Sequence, residues 1–151
     1  MNFTLEQVMT EFPYTIQAHQ SVERAHEVML EHQVRHLPVE ADGKVIGVLS
    51  DRDVNLALSL RGEKTSPVSV FSLCSKPAYM VTKDEPITLV LRTMAEQRYG
   101  CVLVAERGRL VGIATTSDLL RWMSTWLEAA DETAQLSSTA SLPFGAARQQ
   151  H

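Results

Sequence analysis

The sequence contains one segment twice, and this duplication constrains the fold more than any other feature. When the chain is shifted by 65 positions, residues 8–58 align with residues 73–123 without an insertion or deletion. Because units of about 50 residues are marginal alone, we expect the copies to pair around one core, with a binding cleft between them. Seven positions are identical, namely Tyr14/Tyr79, Met29/Met94, Glu31/Glu96, Val39/Val104, Gly43/Gly108, Gly47/Gly112 and Asp53/Asp118.

Each copy has the pattern of a strand, a helix, two strands and a second helix. Short apolar runs predict strands, helical spacing of apolar residues predicts a helix after Ser21, and Asp42-Gly43 is typical of a hairpin turn. Before the first copy, the Thr4-x-x-Gln7 capping box predicts a short helix through Met9 that Pro13 ends. The strands are predicted at 14–16, 36–39, 45–49 and 79–81, and further helices from about Asp53, from Pro86 and from Asp118. The sequence thus predicts an α+β fold in two α/β layers.

The same patterns predict the domain organisation. Residues 1–60 form the first unit and residues 73–130 the second. The polar segment 61–72, which contains Gly62 and Pro67, is interpreted as a linker without a counterpart in the other copy. Residues 131–151 have few large apolar side chains, and this composition predicts a flexible tail.

Composition argues against several classes of function. A formal charge of −4 gives no basic field for nucleic acid. Two cysteines outside any CxxC spacing form no zinc or redox motif, and His32 and His36 have no third metal ligand beside them. No signal peptide or apolar run long enough to span a membrane is evident, so we expect a cytoplasmic protein. No nucleophile accompanies Asp51 and Asp53, and we expect no catalytic site.

One motif carries chemistry and occurs in both copies. Ser50 and Thr115 each follow an apolar strand, and Asp53 and Asp118 stand three residues later, in the predicted first helical turn. A carboxylate can accept hydrogen bonds from both ribose hydroxyls, while the hydroxyl and the free N–H groups of a helix start can bind phosphate. The same residues also form ordinary capping boxes, so the motif alone leaves a purely structural role open.

The tandem order of elements, the Leu37-Pro38-Val39 strand and the two Gly-x-x-Ser/Thr-x-x-Asp segments resemble a CBS-domain pair, or Bateman module. The resemblance covers roughly residues 4–127. It implies two units related by a pseudo-twofold axis, with up to two adenosine-type ligands in the clefts between them. Such pairs commonly sense AMP, ADP, ATP or S-adenosylmethionine, and often form homodimers shaped as a flat disc.

The resemblance also implies roles for individual residues. Asp53 and Asp118 would bind ribose, with Ser50 and Thr115 beside them, and Arg52 would bind phosphate. The base would lie against the first strand of each copy. Arg52 and His36 of the first copy correspond to Ser117 and Cys101 of the second, so the clefts are chemically unequal and we expect one occupied site rather than two. Pro38 corresponds to Leu103, and this departure from the family pattern affects the strand beside the second cleft. The full set of candidates for nucleotide binding is Thr15, Ile16, His36, Pro38, Ser50, Arg52, Asp53, Met80, Val81, Cys101, Thr115 and Asp118.

Two hypotheses follow. The first is a regulatory module without catalysis or a required cofactor, which binds an adenosine-type ligand, forms a homodimer and acts on a partner protein. The second is a structural adaptor that dimerises and docks a partner without binding a ligand, in which case the motifs serve only as helix caps.

Overall fold

The structure is a computed structural model that describes residues 3–62 and 66–139, and in these ranges it contains seven strands, five α-helices and one 3₁₀ turn. In chain order they are the 3₁₀ turn Leu5–Gln7, β1 (Thr10–Glu11), β2 (Ile16–Gln17), α1 (Val22–His32), β3 (His36–Ala41), β4 (Lys44–Ser50), α2 (Asp51–Ser59), α3 (Val70–Leu73), β5 (Met80–Val81), α4 (Ile87–Gln97), β6 (Cys101–Glu106), β7 (Arg109–Thr115) and α5 (Thr116–Thr139). The predicted α+β class is confirmed.

Each repeat builds its own sheet. The first has the strand order β2-β3-β4, and the second has the order β1-β7-β6-β5. In both, the short first strand pairs in parallel with the next strand, which then forms an antiparallel hairpin with the third. The hairpin glycines Gly43 and Gly108 have φ angles of 73° and 75°, which non-glycine residues rarely adopt, so the turn chemistry explains their identity in both copies.

Two apolar clusters form the cores of the repeats. In the first, Val22, Leu37 and Leu49 are fully buried, and in the second Val90, Val102 and Val104 are. Helices α1 and α4 contribute their apolar faces because their apolar residues recur at helical spacing. A third cluster centres on Cys101, Leu103 and Ile113, with Val45 and Val48 of the first repeat packed against it.

The segments that precede the two repeats are exchanged between them. Leu5 is buried in the core of the second repeat, whereas Val70, which is 65 residues later, is buried in the core of the first. β1 pairs with β7, and Ser75 forms the corresponding backbone pair with Val48 at N···O distances of 2.9 and 3.0 Å. Each sheet is therefore extended by chain that enters the other repeat.

Several boundaries differ from the sequence prediction. The capping box of Thr4 and Gln7 starts a 3₁₀ turn that ends at Gln7, because residues 10–11 pair with β7 as a strand and do not continue the helix to Met9. The segment 61–72, predicted to be a linker without a counterpart, contains the start of α3 and the buried Val70. The prediction missed this because Val70 matches Leu5, which lies before the aligned region.

The C-terminal part of the chain also differs. Residues 131–139, which were expected to belong to a flexible tail, are the last turns of α5, and the remainder of the predicted tail lies outside the described residues. Residues 120–139 of this helix form a separate compact unit of the chain, on which Trp126 and Leu127 are partly exposed. Within the described ranges, no helix combines the length and apolar character that crossing a membrane requires.

Candidate functional site

The first site element is the start of α2, which we call the first cleft. Ser50 ends β4 and is the N-cap of α2, and its Oγ accepts a hydrogen bond from the Asp53 backbone N at 3.2 Å. The same hydroxyl donates to Asp53 Oδ2 at 2.8 Å. Asp53 Oδ1 accepts no hydrogen bond from the residues that the structure describes, so this oxygen is available for an outside donor.

The second element is the start of α5, which we call the second cleft. Thr115 Oγ1 donates to Asp118 Oδ2 at 2.8 Å and accepts from the Asp118 backbone N at 3.3 Å. The Thr115 backbone N also donates to Oδ2 at 2.9 Å, which completes a reciprocal capping box. The predicted pairing of hydroxyl and carboxylate is therefore present in both repeats, and the helix caps are present with it.

A cavity of about 370 Å³ opens beside the first cleft. Five of the predicted site residues line it, and both repeats contribute to its walls. The lining is His36, Val48, Ser50, Asp51, Arg52, Asp53, Ser75, Pro77, Ala78, Tyr79, Arg98, Tyr99, Gly100 and Cys101. Its volume lies within the usual range for small-molecule sites.

Several residues of this cavity are not among those predicted from the sequence. Tyr79 and Tyr99 stack with ring centroids 5.3 Å apart and form an aromatic wall, and Arg98 adds a second arginine to the lining that contains Arg52. Tyr79 is identical in both repeats, which was a signal for it. Nothing in the sequence indicated Arg98 or Tyr99, because they come from the loop after α4 and reach the cavity only through the pairing of the repeats.

The cavity does not include the other predicted residues. Ile16 and Pro38 are buried, Thr15 is half-buried, and Thr115 and Asp118 belong to the second cleft. Met80 and Val81 line a separate, shallow recess with Leu89 and Arg107. Their proposed contact with a base therefore stays a prediction, and the aromatic wall of the described cavity comes from the residue before Met80.

His36 lies at the boundary between the repeats. A Cβ added to Gly100 would be 2.9 Å from His36 Nε2, so a glycine is needed here for the ring to approach the second repeat. Burial lowers the pKa of His36, and the nearby Arg35 lowers it further, while Asp51, Asp118 and Asp53 act in the opposite direction. The imidazole therefore lies within the electrostatic range of both cleft carboxylates.

Cys101 corresponds to His36 in the second repeat and behaves differently. Its side chain is almost fully buried, and burial raises the pKa of the thiol to about 12. Because the thiolate is the reactive form of cysteine, this group has little nucleophilic or metal-binding character near neutral pH. In the described ranges, no group of three His, Cys, Asp or Glu residues is arranged to hold a metal ion.

A contact across the repeats distinguishes the second cleft. Arg35 Nη2 donates to Ser117 Oγ at 3.2 Å. These residues correspond to Gly100 and Arg52 in the other pair of positions, so glycine and arginine have exchanged places between the two clefts. The exchange of Arg52 for Ser117 predicts the loss of a cation from the second cleft, but in the structure Arg35 of the first repeat contacts Ser117.

Comparison with known proteins places the chain in a family. The sequence model of the CBS-domain family matches this chain twice, at residues 5–60 and 70–125. The structure of an acetoin utilization protein, AcuB, from Vibrio cholerae is 26% identical, with a TM-score of 0.74 and coverage of 87% of this chain and 98% of that one. The structure of CBSX2 in complex with AMP is 25% identical, with a TM-score of 0.66 and coverage of 82% and 97%.

A curated relative shows that such a pair also occurs inside larger proteins. A homoserine O-acetyltransferase of Methanococcoides burtonii is 29% identical over 116 residues, which are 76% of this chain and 23% of the enzyme. This chain thus spans less than a quarter of that relative's length. The two matched segments coincide with the two structural repeats and together cover most of the sequence. The chain belongs to the CBS-domain family and contains a tandem pair of these domains.

Proposed function

We propose that this chain is a regulatory module that binds an adenosine-type ligand in the first cleft and performs no catalysis of its own. The observation that carries the proposal is the cavity of about 370 Å³ whose lining combines Ser50 and Asp53 with two arginines and two tyrosines. These groups match the three parts of a nucleotide, namely the sugar, the phosphate and the base.

The sugar is assigned to Asp53. Its Oδ2 is held by Ser50 at 2.8 Å, which fixes the carboxylate and directs its remaining lone pairs. Adjacent hydroxyls of a ribose can both donate to one carboxylate, and hydrogen bonds to a charged group contribute roughly 1.5–3 kcal/mol each. Its position in the first turn of α2 suits a carboxylate, because the helix dipole favours negative charge there.

The phosphate is assigned to Arg52 and Arg98. Both line the cavity, and neither forms an ion pair with the residues that the structure describes. Two guanidinium groups without carboxylate partners favour an anionic ligand, since their forked donors fit phosphate oxygens. This arrangement favours AMP, ADP or ATP over S-adenosylmethionine, which carries a sulfonium cation.

The base is assigned to the wall of Tyr79 and Tyr99, since aromatic rings stack on a purine. CBSX2, which shares the fold at 25% identity, was crystallised with AMP. Two stacked tyrosines in the cavity that the Asp53 carboxylate also lines support an AMP-sized ligand in this chain.

The test is titration calorimetry with AMP, ATP and S-adenosylmethionine. We expect AMP to bind the wild type, and Asp53→Ala to weaken the affinity by roughly tenfold to a hundredfold through loss of the ribose contacts. Asp84→Ala, which removes an exposed carboxylate from the turn before α4, is the matched control and should bind AMP normally. Absence of heat with all three ligands in a folded wild type would overturn the proposal.

A second candidate function is a structural adaptor without a ligand. The caps favour it, because the backbone N of Asp53 and that of Asp118 already use the adjacent hydroxyls. In that case Asp53→Ala lowers stability and changes no ligand response.

We also propose a cytoplasmic homodimer acting on a partner protein. Exposed leucines on the paired helices α1 and α2, Leu30 and Leu56, support an association surface.

A further inference from the structure

We propose that His36 takes up a proton from the solvent when a phosphate-bearing nucleotide binds in the first cleft, and so supplies that ligand with a further cation. This inference rests on the proposed function and deepens it, because it names the residue that couples ligand binding to pH. A site that gains a proton with its ligand selects for the negative charge of the ligand, so His36 favours AMP over adenosine.

The strand register places the imidazole beside the motif of the first cleft. His36 is the first residue of β3, and it pairs with Ser50, which ends β4 and caps α2. Its side chain lines the same cavity as Arg52 and Arg98, to which the phosphate is assigned. A sphere with the volume of this cavity is about 9 Å across, so a phosphate inside it lies roughly within one Debye length of the imidazole.

The imidazole is held in the cavity wall without being tied to another side chain. A Cβ on Gly100 would lie 2.9 Å from His36 Nε2, so the ring packs directly against the backbone of the second repeat. Among the residues that the structure describes, no hydrogen bond or ion pair involves a ring nitrogen of His36. A protonated ring has two N–H donors, and it can therefore donate to a phosphate without first breaking a contact with the protein.

The groups around His36 favour the neutral ring when no ligand is bound. Burial lowers the pKa of His36 and Arg35 lowers it further, whereas Asp51, Asp118 and Asp53 act in the opposite direction without reversing the shift. The imidazole is therefore largely neutral at pH 7.0. The other charged or titratable side chains that line the cavity are Arg52, Arg98, Tyr79, Tyr99 and Cys101.

A bound phosphate changes this balance. It carries a charge of about −1.5 to −2 near neutral pH, which is more than either Asp51 or Asp53 contributes alone. A nearby opposite charge favours the charged form of a titratable group, so the pKa of His36 rises when the phosphate is bound. Adenosine brings no such charge and leaves the imidazole neutral. Cys101, the counterpart of His36 in the second repeat, has no cationic form and cannot take this role.

The experiment is titration calorimetry of the wild type with AMP and with adenosine at pH 7.0, in PIPES and in Tris, which differ in ionisation enthalpy. The dependence of the measured enthalpy on the buffer gives the number of protons taken up per ligand. We expect roughly 0.3–1 proton to be taken up with AMP and none with adenosine. The phosphate, whose second pKa is about 6, releases at most about 0.1 proton at this pH, so the sign distinguishes it from the imidazole.

Two variants and one spectroscopic measurement complete the test. His36→Gln cannot titrate and should bind AMP without proton uptake. His19→Gln removes an exposed histidine from the turn before α1 and should keep the uptake of the wild type. In the wild type itself, the NMR titration of the His36 ring should move to higher pH when AMP is added, and this measurement does not depend on the folding of a variant.

Each contrary outcome has a distinct meaning. AMP binding without proton uptake in the wild type would overturn the inference and leave the proposed function standing. Equal uptake with adenosine would show that the phosphate is not the cause, and uptake retained in His36→Gln would assign the proton to another group, so either result overturns the inference. Absence of AMP binding would overturn the inference together with the proposed function.

Discussion

The two repeats have nearly the same backbone and different side chains at their clefts. The helices before the central hairpins end in the same way, with Gln33 and Arg98 in the left-handed conformation at φ angles of 53° and 58°. Yet the residue that follows two positions later is Arg35 in one repeat and Gly100 in the other. Backbone geometry is set by hydrogen bonds that any residue can make, so it persists after duplication while the cleft chemistry changes.

The largest difference in stability between the repeats should come from substitution of the glycines that precede the two Ser/Thr-x-x-Asp motifs, Gly47 and Gly112. A Cβ on Gly47 would lie 2.4 Å from the Ser75 backbone oxygen, whereas one on Gly112 would meet the flexible end of Met9, with the sulfur at 2.5 Å. We expect Gly47→Ala to lower the free energy of unfolding by about 1–3 kcal/mol and Gly112→Ala by less. Urea denaturation measures both. Equal costs would mean that Met9 is held as rigidly as the backbone.

A smaller difference in stability is expected between substitutions of the two carboxylates, Asp53 and Asp118. Asp118 accepts from the Thr115 backbone N as well as from its hydroxyl, while Asp53 makes only the hydroxyl contact of this pair. Without ligand, Asp118→Ala should cost about 0.5–2 kcal/mol, the range for a lost cap, and Asp53→Ala should cost less. Thermal denaturation of both variants checks this order. A greater loss for Asp53→Ala would show that the caps are not the source of the difference.

The smallest effect concerns pH. Burial lowers the folded-state pKa of His36 below 6.5, so the unfolded chain binds more protons than the folded one below that pH. The stability of the wild type should therefore decrease as pH falls below about 6.5, and the stability of the His36→Gln protein should decrease less over the same range. Melting temperatures at pH 7.5 and 5.5 compare the variant with the wild type. His19→Gln, which removes an exposed histidine, should follow the wild type.

Much of the fold could be predicted because duplication gives two independent readings of each element. The hairpins at Gly43 and Gly108 and the helix after Ser21 were predicted from local turn chemistry and apolar spacing, and both are confirmed. The exchange of Leu5 and Val70 between cores was not predicted, since no local pattern states which sheet a short segment will cover.

The candidate site could be predicted only where its chemistry lies in one stretch of sequence. Ser50 and Asp53 are three residues apart, so their pairing follows from helix geometry. Arg98 and Tyr99 enter the first cleft, and Arg35 reaches Ser117, only because the repeats face each other. These contacts join residues up to 82 positions apart, and their side-chain directions depend on the assembled fold.

The crossed entry segments have an evolutionary consequence. Deleting the first repeat together with its leading segment would take Leu5 from the core of the survivor, and deleting the second with its own would take Val70 from the first. A fully buried leucine or valine lost in this way leaves a hole that a lone half must fill from elsewhere. The halves are thus inherited together, and mutation is free to specialise one while its twin maintains the shared architecture.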